Sequence, residues 1–222
     1  MIAPGDRILV AVSGGKDSTS LARDLSIKRG WWSFPFELRA LHIGADFSAC
    51  GGNPDLPRLL GEWGIDYVNL DIPILGRLKP GRSMNCYWCS TQRRTELIRY
   101  AMAEGFNKIA LGHHLDDIVE TLLMNMLYKG ELSGMKPVVK YDKYPLSIIR
   151  PLALCEERQI VEYIGELGIG SSVSTCQFGL ESKRREVRER VKLLTGGSSD
   201  LKRNIFESMD QVNLEYLGKV VD

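Results

Sequence analysis

Several things are scarce in this 222-residue chain. No apolar run is long enough to cross a bilayer as a helix, which excludes a helical membrane protein. Charge of one sign is missing too: 29 Lys and Arg against 28 Asp and Glu leave a net +1, so an anionic partner would have to be met by a local patch. Cysteines number five and histidines three. Only Cys86 and Cys89, in "NCYWCSTQRR", have a C-x-x-C spacing, and there is no second such pair, so a closed four-ligand zinc site is poorly supplied. The opening "MIAPGDRILVAV" runs into a strand pattern without the sections of a signal peptide, which sets the expectation of a cytoplasmic chain. In that reducing setting the cysteines read as metal ligands or redox groups rather than a disulfide framework. Internal repeats and low-complexity tracts are also absent.

What is present is a core-forming pattern, with 44% hydrophobic residues. Apolar, β-branched runs bounded by turn signals fall at 7–12, 37–43, 66–72, 108–112 and 147–152, and each reads as a buried strand. Helical spacing occupies 16–28, 55–63, about 91–104, 116–128 and 156–167. This β-α alternation predicts an α/β fold: a parallel five-stranded sheet with helices on both faces, binding its ligand beyond the carboxyl ends of the strands. From residue 170 the character changes. Two terminal helices, in "GSSVSTCQFGLESKRREVRERVKLL" and "DLKRNIFESMDQVNLEYL", are joined by "TGGSS". The expected organisation is therefore a domain over 1–170 and a C-terminal helical segment over 171–222 packed on it.

The first strand ends in Ser13-Gly14-Gly15-Lys16-Asp17-Ser18 and enters a helix. Glycines there allow close backbone approach, and the free N–H groups of a positive helix end suit a phosphate. Neither the Walker spacing nor G-x-G-x-x-G is present. A plain Gly-rich β-α turn that only lets the helix pack is the alternative. The full run "SGGKDS" resembles the PP-loop of the N-type ATP pyrophosphatases, an adenine nucleotide alpha hydrolase-like fold whose members adenylate a carbonyl oxygen and release pyrophosphate. That resemblance implies that Ser13, Gly14, Gly15, Lys16, Asp17 and Ser18 hold the pyrophosphate portion of ATP, and that Leu41, His42 and Ile43 flank the adenine.

Cys86 and Cys89 stand at the predicted start of a helix, where the dipole favours thiolates and an anionic cluster. As an isolated pair they also fit half a zinc site, a redox pair or two packing cysteines. Cys176, in the polar loop "SVSTCQFG", is the candidate third ligand. Cys155, where a strand feeds a helix, reads as a small packed residue, and Cys50 has no evident role. Three thiolates suit iron–sulfur or zinc, and on a four-iron cube they leave one iron open.

Taken in order, "SGGKDS", "CYWCSTQRR", "LGHHLDDIVETLLMNMLYKG", "IIRPLALC" and the late Cys176 resemble the tRNA 2-thiocytidine synthetases of the TtcA type over roughly residues 7–215. The resemblance implies a [4Fe-4S] cluster on Cys86, Cys89 and Cys176 whose fourth iron receives sulfide. It also implies ATP- and Mg²⁺-dependent adenylation of the C2 carbonyl of an anticodon-loop cytidine, with sulfur replacing oxygen. Lys16 and Asp17 would act in catalysis with Asp117, preferred over Asp116 for handling Mg²⁺ or a proton, while Gly112 would belong to the nucleotide site. The partners implied are tRNA and a sulfur donor, either a cysteine desulfurase or free sulfide, acting on a homodimer. A cysteine persulfide is an alternative carrier of the sulfur.

Other residues keep two readings. Asp116, Asp117 and Glu120 would also stabilise a helix N-terminus as ordinary acids. Arg93 and Arg94 would steer a phosphate or the adenylate, or form a solvated face. Lys183, Arg184, Arg185, Arg188, Arg190 and Lys192 would meet tRNA phosphates or form a salt-bridged helix. Tyr87, Trp88 and Phe178 would stack on splayed bases or pack around a cluster. Two other functions share these motifs: a PP-loop enzyme thiolating another tRNA pyrimidine or a small-molecule carbonyl, and a redox-sensing nucleotide or iron–sulfur binding module.

Overall fold

The structure, a computed structural model, describes residues 1–47, 53–170 and 183–216. Six strands form one sheet: β1 (Arg7–Ala11), β2 (Glu37–Ala45), β3 (Asp66–Ile72), β4 (Lys108–Ala110), β5 (Val138–Lys140) and β6 (Ser147–Ile149). Their order is β3-β2-β1-β4-β6-β5. All neighbours pair in parallel except β5, which runs antiparallel to β6. The expected five parallel strands are thus present, and a sixth corrects the count. β5 is a three-residue edge strand with its outer positions exposed, so it carries no apolar run of the kind that marks a buried strand.

The helices are α1 (Lys16–Trp31), α2 (Leu56–Glu62), α3 (Cys86–Ala103), α4 (Leu115–Lys129), α5 (Glu157–Glu166), α6 (Lys183–Thr195) and α7 (Ser199–Glu207). The chain divides into two compact units. One contains Met1–His114 with Lys136–Ser182, and the other Leu115–Met135 with Lys183–Asp222.

The first unit holds the whole sheet, and strand alternation builds a core on each of its faces. On β1, Ile8 and Val10 join Leu21 and Leu25 of α1 and Ile160 and Ile164 of α5. Leu9, pointing the other way, joins Leu41 and Ile43 of β2, Ile109 of β4 and Leu97 and Ala101 of α3. Ile8, Leu9, Leu21, Leu41 and Ile109 are almost fully buried, and each such side chain contributes about 1.5–3 kcal/mol of burial. From β1 the chain moves outward to β2 and β3, then crosses back to β4 on the other flank of β1. The reversal lies between β1 and β4, and open α/β sheets bind ligands at the carboxyl ends of strands at such a point.

In the second unit, α4 contacts both α6 and α7. Leu115, Ile118, Val119 and Leu122 of α4, Val187 and Val191 of α6 and Phe206 of α7 are its buried apolar residues among those described. Among the described residues, no helix is long and apolar enough to cross a membrane.

Candidate active site

β1 ends at Ala11, and Val12 still donates its N–H to the Leu41 carbonyl at 3.0 Å. The chain then turns through Gly14 at φ +83°, a left-handed conformation that only glycine adopts without strain. Gly15 is the N-cap of α1 and has no capping side chain, so no such group covers the N–H donors of the first turn. Ser18 ties the loop shut: its Oγ donates to the Gly15 carbonyl and accepts from the Ser13 N–H, both at 3.1 Å. Gly112, just past β4, abuts this turn. A Cβ there would lie 2.9 Å from the Asp17 carbonyl carbon and 3.0 Å from the Ser18 nitrogen, so the residue is a backbone-contact glycine.

The Lys16 ammonium lies 3.0 Å from Asp17 and 2.8 Å from Glu157, at the first turn of α5. Burial pulls this group down, and the hydrogen bonds and charges of Glu157 and Asp17 outweigh it, leaving Lys16 above the ordinary lysine value. Asp17 Oδ1, the oxygen that Lys16 approaches at 3.0 Å, is buried and has no hydrogen bond of good geometry. It lies 3.8 Å from Nε2 of the buried His114.

Beyond the ends of β1, β2 and β4, a cavity of about 270 Å³ opens between the sheet and α3. Leu41, Ile43, Leu97, Ile109 and Ile148 give it apolar walls, while Ser13, Ser90, Arg93, Arg94 and His113 supply its polar lining. Alternation separates the three residues predicted on β2. Leu41 and Ile43 line the cavity, whereas His42 is absent from its lining and places Nδ1 2.8 Å from the Val12 carbonyl. Behind the lining, Arg150 donates from Nε to His113 Nδ1 at 3.2 Å and from Nη1 to the Lys136 carbonyl at 2.5 Å. Burial, with the charge of Arg94 added, lowers Arg150 from the ordinary guanidinium value.

α3 begins at Cys86, the helix start expected at the C-x-x-C pair and five residues before the helical spacing read from about 91, because Asn85 caps it: its side chain accepts the Trp88 N–H at 2.8 Å. Cys86 is exposed and Cys89 half-buried on the first turn. Their i, i+3 spacing places them on neighbouring positions of one helix surface, at its positive end. Donor type and position fit a thiolate-ligated cluster. Among the described residues no group of three or more His, Cys, Asp or Glu is arranged around a metal, and the predicted third ligand Cys176 lies outside them, as do Cys50 and Phe178. The two aromatics diverge. Trp88 donates Nε1–H to the Ile74 carbonyl at 3.2 Å and packs in the core, whereas Tyr87 is 82% exposed. Cys155 packs against the α1–α5 core, and burial pushes its thiol up.

In the second unit, the acids of α4 face cations of α6 and α7. Asp116 meets Lys202 at 2.6 Å, Asp117 lies 3.8 Å from Arg184, and Glu120 meets Arg188 at 2.6 Å. Glu120 is almost fully buried, and burial outweighs Arg188 to push its carboxyl up. Of the predicted basic residues, Arg184 and Arg188 are therefore in ion pairs, Arg190 pairs with Glu186 at 2.5 Å, and Lys183 sits over the Tyr128 ring at 4.5 Å. Arg185 and Lys192 are exposed.

Sequence reasoning passed over Glu157, Ser90 and Arg150. For Glu157 a signal existed: "CEERQI" follows the fifth predicted strand and opens a helix, so its second acid, at the first helical position, falls at the same sheet edge as the SGGKDS turn.

Comparison with known proteins agrees with this geometry. Residues 85–192 match the family model described as a PP-loop domain. A tRNA-cytidine(32) 2-sulfurtransferase of Coxiella burnetii is 37% identical over 200 residues, covering 87% of this chain and 75% of the relative. Its counterpart in Geobacter metallireducens is 33% identical over 224 residues, covering 98% and 86%. Among solved structures, the U34-tRNA thiolase NcsA from Methanococcus maripaludis with its [4Fe-4S] cluster superposes with a TM-score of 0.80 at 25% identity, covering 97% of this chain and 74% of the other. With the SGGKDS turn at the sheet reversal and the C-x-x-C pair on the helix beside it, the chain belongs to the tRNA-cytidine(32) 2-sulfurtransferase family.

Proposed function

We propose that this enzyme is an ATP-dependent tRNA thiolase that adenylates the C2 carbonyl of an anticodon-loop cytidine and replaces its oxygen with sulfur, giving 2-thiocytidine. The observation that carries the reading is adjacency: Ser13 of the phosphate-type turn and Ser90, the residue after Cys89, line one cavity. Nucleotide chemistry and sulfur chemistry would then share one chamber. The relatives' printed activity and the thiolase neighbour support the same assignment.

A pyrimidine carbonyl oxygen leaves poorly as oxide. Attack of that oxygen on the α-phosphorus of ATP expels pyrophosphate and leaves the oxygen as part of AMP, a competent leaving group. The N–H donors of Gly14 to Asp17 and the Lys16 ammonium are assigned to the charge that develops on pyrophosphate. Leu41 and Ile43 would enclose the adenine and keep water away. Addition of sulfur at C2 then expels AMP. A [4Fe-4S] cluster on Cys86, Cys89 and Cys176 supplies, when bound, a soft open iron centre for sulfide. Mg²⁺ would offset charge on the triphosphate, with Asp17, whose Oδ1 is buried, as a candidate carboxylate for it. Asp117 is assigned to Mg²⁺ or proton handling on the strength of the family motif.

tRNA phosphates are assigned to the exposed basic residues of α6, chiefly Arg185 and Lys192. Family resemblance alone supports a homodimer, a cytoplasmic location and a cysteine desulfurase or free sulfide as donor. The test is anaerobic incubation of the purified protein with tRNA, ATP and sulfide. It should form AMP and 2-thiocytidine in equal amounts, and the protein should show broad visible absorbance that Cys86→Ser, Cys89→Ser or Cys176→Ser each diminish. A colourless, zinc-loaded protein would overturn the cluster, and AMP release without thiolated tRNA would overturn the substrate.

A further inference from the structure

Arg93 stands on α3, one turn beyond Cys89, and lines the 270 Å³ cavity. Its Nε and Nη2 atoms are both buried, and neither has a hydrogen-bond partner. These two donors lie on the same edge of the planar guanidinium, the fork that takes two oxygens of one phosphate or carboxylate. Burying a charged donor without an acceptor is costly, so an empty fork of this kind is a feature that a ligand would repay. Among the residues lining the cavity there is no carboxylate to balance it, and Arg94 is a second cation there. Arg150, close by, spends Nε on His113 and Nη1 on a backbone carbonyl. Lys16 is the contrast, since Asp17 and Glu157 already balance its charge.

We propose that the Nε–Nη2 edge of Arg93 binds two oxygens of the nucleotide's α-phosphoryl group, in ATP and in the adenylate formed from it. This rests on the assignment of the cavity to ATP. The turn at Ser13 to Ser18 accounts for the pyrophosphate portion, which departs. The α-phosphoryl group stays with the base until sulfur arrives, and it needs a separate cation that does not leave with pyrophosphate. A tRNA backbone phosphate carries the same pair of oxygens. The nucleotide is favoured because Arg93 lines a small, mostly apolar chamber together with Ser13, the first residue of the phosphate-type turn.

The test measures binding of adenosine, AMP, pyrophosphate and tRNA to anaerobically purified wild-type protein, Arg93→Ala and Arg93→Lys. Wild-type protein should bind AMP more tightly than adenosine. Arg93→Ala should weaken AMP by about tenfold to a hundredfold, the scale of a lost charge-assisted pair, while leaving adenosine and pyrophosphate unchanged. Unaltered pyrophosphate binding also shows that the variant is folded. Arg93→Lys, which keeps the charge and the fold but loses the fork, should recover only part of the loss; should the alanine variant not fold, this lysine variant alone decides. AMP affinity unchanged in both variants overturns the proposal, and a loss confined to tRNA overturns it in favour of a backbone phosphate. If wild-type protein binds neither AMP nor pyrophosphate, the ATP assignment itself falls and this proposal with it.

Discussion

Gly112→Ala concentrates the nucleotide-site geometry into one methyl group. The added carbon would lie 2.9 Å from the Asp17 carbonyl carbon, 3.0 Å from its oxygen and 3.0 Å from the Ser18 nitrogen, whereas comfortable carbon contacts begin at about 3.5 Å. All three neighbours are backbone atoms in the first turn of α1, so no rotamer change relieves the clash. The end of β4 and the start of α1 must part by roughly half an ångström, an overpacking cost of about 1–3 kcal/mol. In a chain of this size that lowers the melting temperature by about 2–4 °C per kcal/mol. The same displacement carries Lys16 and the loop donors with it, at a scale where functional constellations begin to fail. Binding of ATP should therefore fall out of proportion to the stability loss, by more than about tenfold. Thermal melts and calorimetric titration with ATP measure the two effects. Gly30→Ala is the control: it lies in α1 with nothing within 4 Å of the added carbon, and should be neutral or stabilise by up to about 1 kcal/mol. A Gly112→Ala protein with wild-type melting and wild-type ATP affinity would refute the contact.

Other residues give sharper pH signatures. Glu157 and Asp17 hold Lys16 above 10.5, so their stabilisation is present at neutral pH and lost as pH rises through the raised value. Glu157→Gln should destabilise near pH 7, with the difference from wild type closing above pH 10.5; a gap that persists there would contradict the pair. Glu120 has the same sign in a more acidic window: its carboxyl is raised above 4.5 by burial, so the folded state binds the extra proton and wild-type stability falls as pH rises through that window. Glu120→Gln should flatten that decline in thermal melts, and an unchanged slope would assign it elsewhere. Asn85→Ala removes the α3 cap, costing about 0.5–2 kcal/mol, and should lower iron content per chain by loosening the turn that carries Cys86 and Cys89. Full iron loading would show that the cap does not organise the ligands.

The parts of this site that were legible in the sequence are those whose physics is local. A glycine at positive φ, a strand entering a helix and a C-x-x-C at a helix start all act within a few residues, and the apolar runs of β1, β2, β4 and β6 mark buried strands, whereas β3, also found from its apolar run, is an edge strand in which only Ile72 is buried. β5 was not legible because an exposed three-residue edge strand needs no apolar run. Tyr87 and Trp88 look alike in sequence, yet adjacent positions on a helix point about 100° apart, so one enters the core and the other meets solvent. The same limit hides the Lys16–Glu157 pair, whose partners are separated by most of the chain, and the open Arg93 fork, which exists only once α3 lies over the sheet.

The central claim is transfer of sulfur to a tRNA cytidine, and the most direct measurement is mass spectrometry of tRNA nucleosides from cells with and without this gene. The account predicts that 2-thiocytidine disappears in the deletion and returns with the wild-type gene but not with Lys16→Ala. Undiminished 2-thiocytidine in the deletion strain would contradict it.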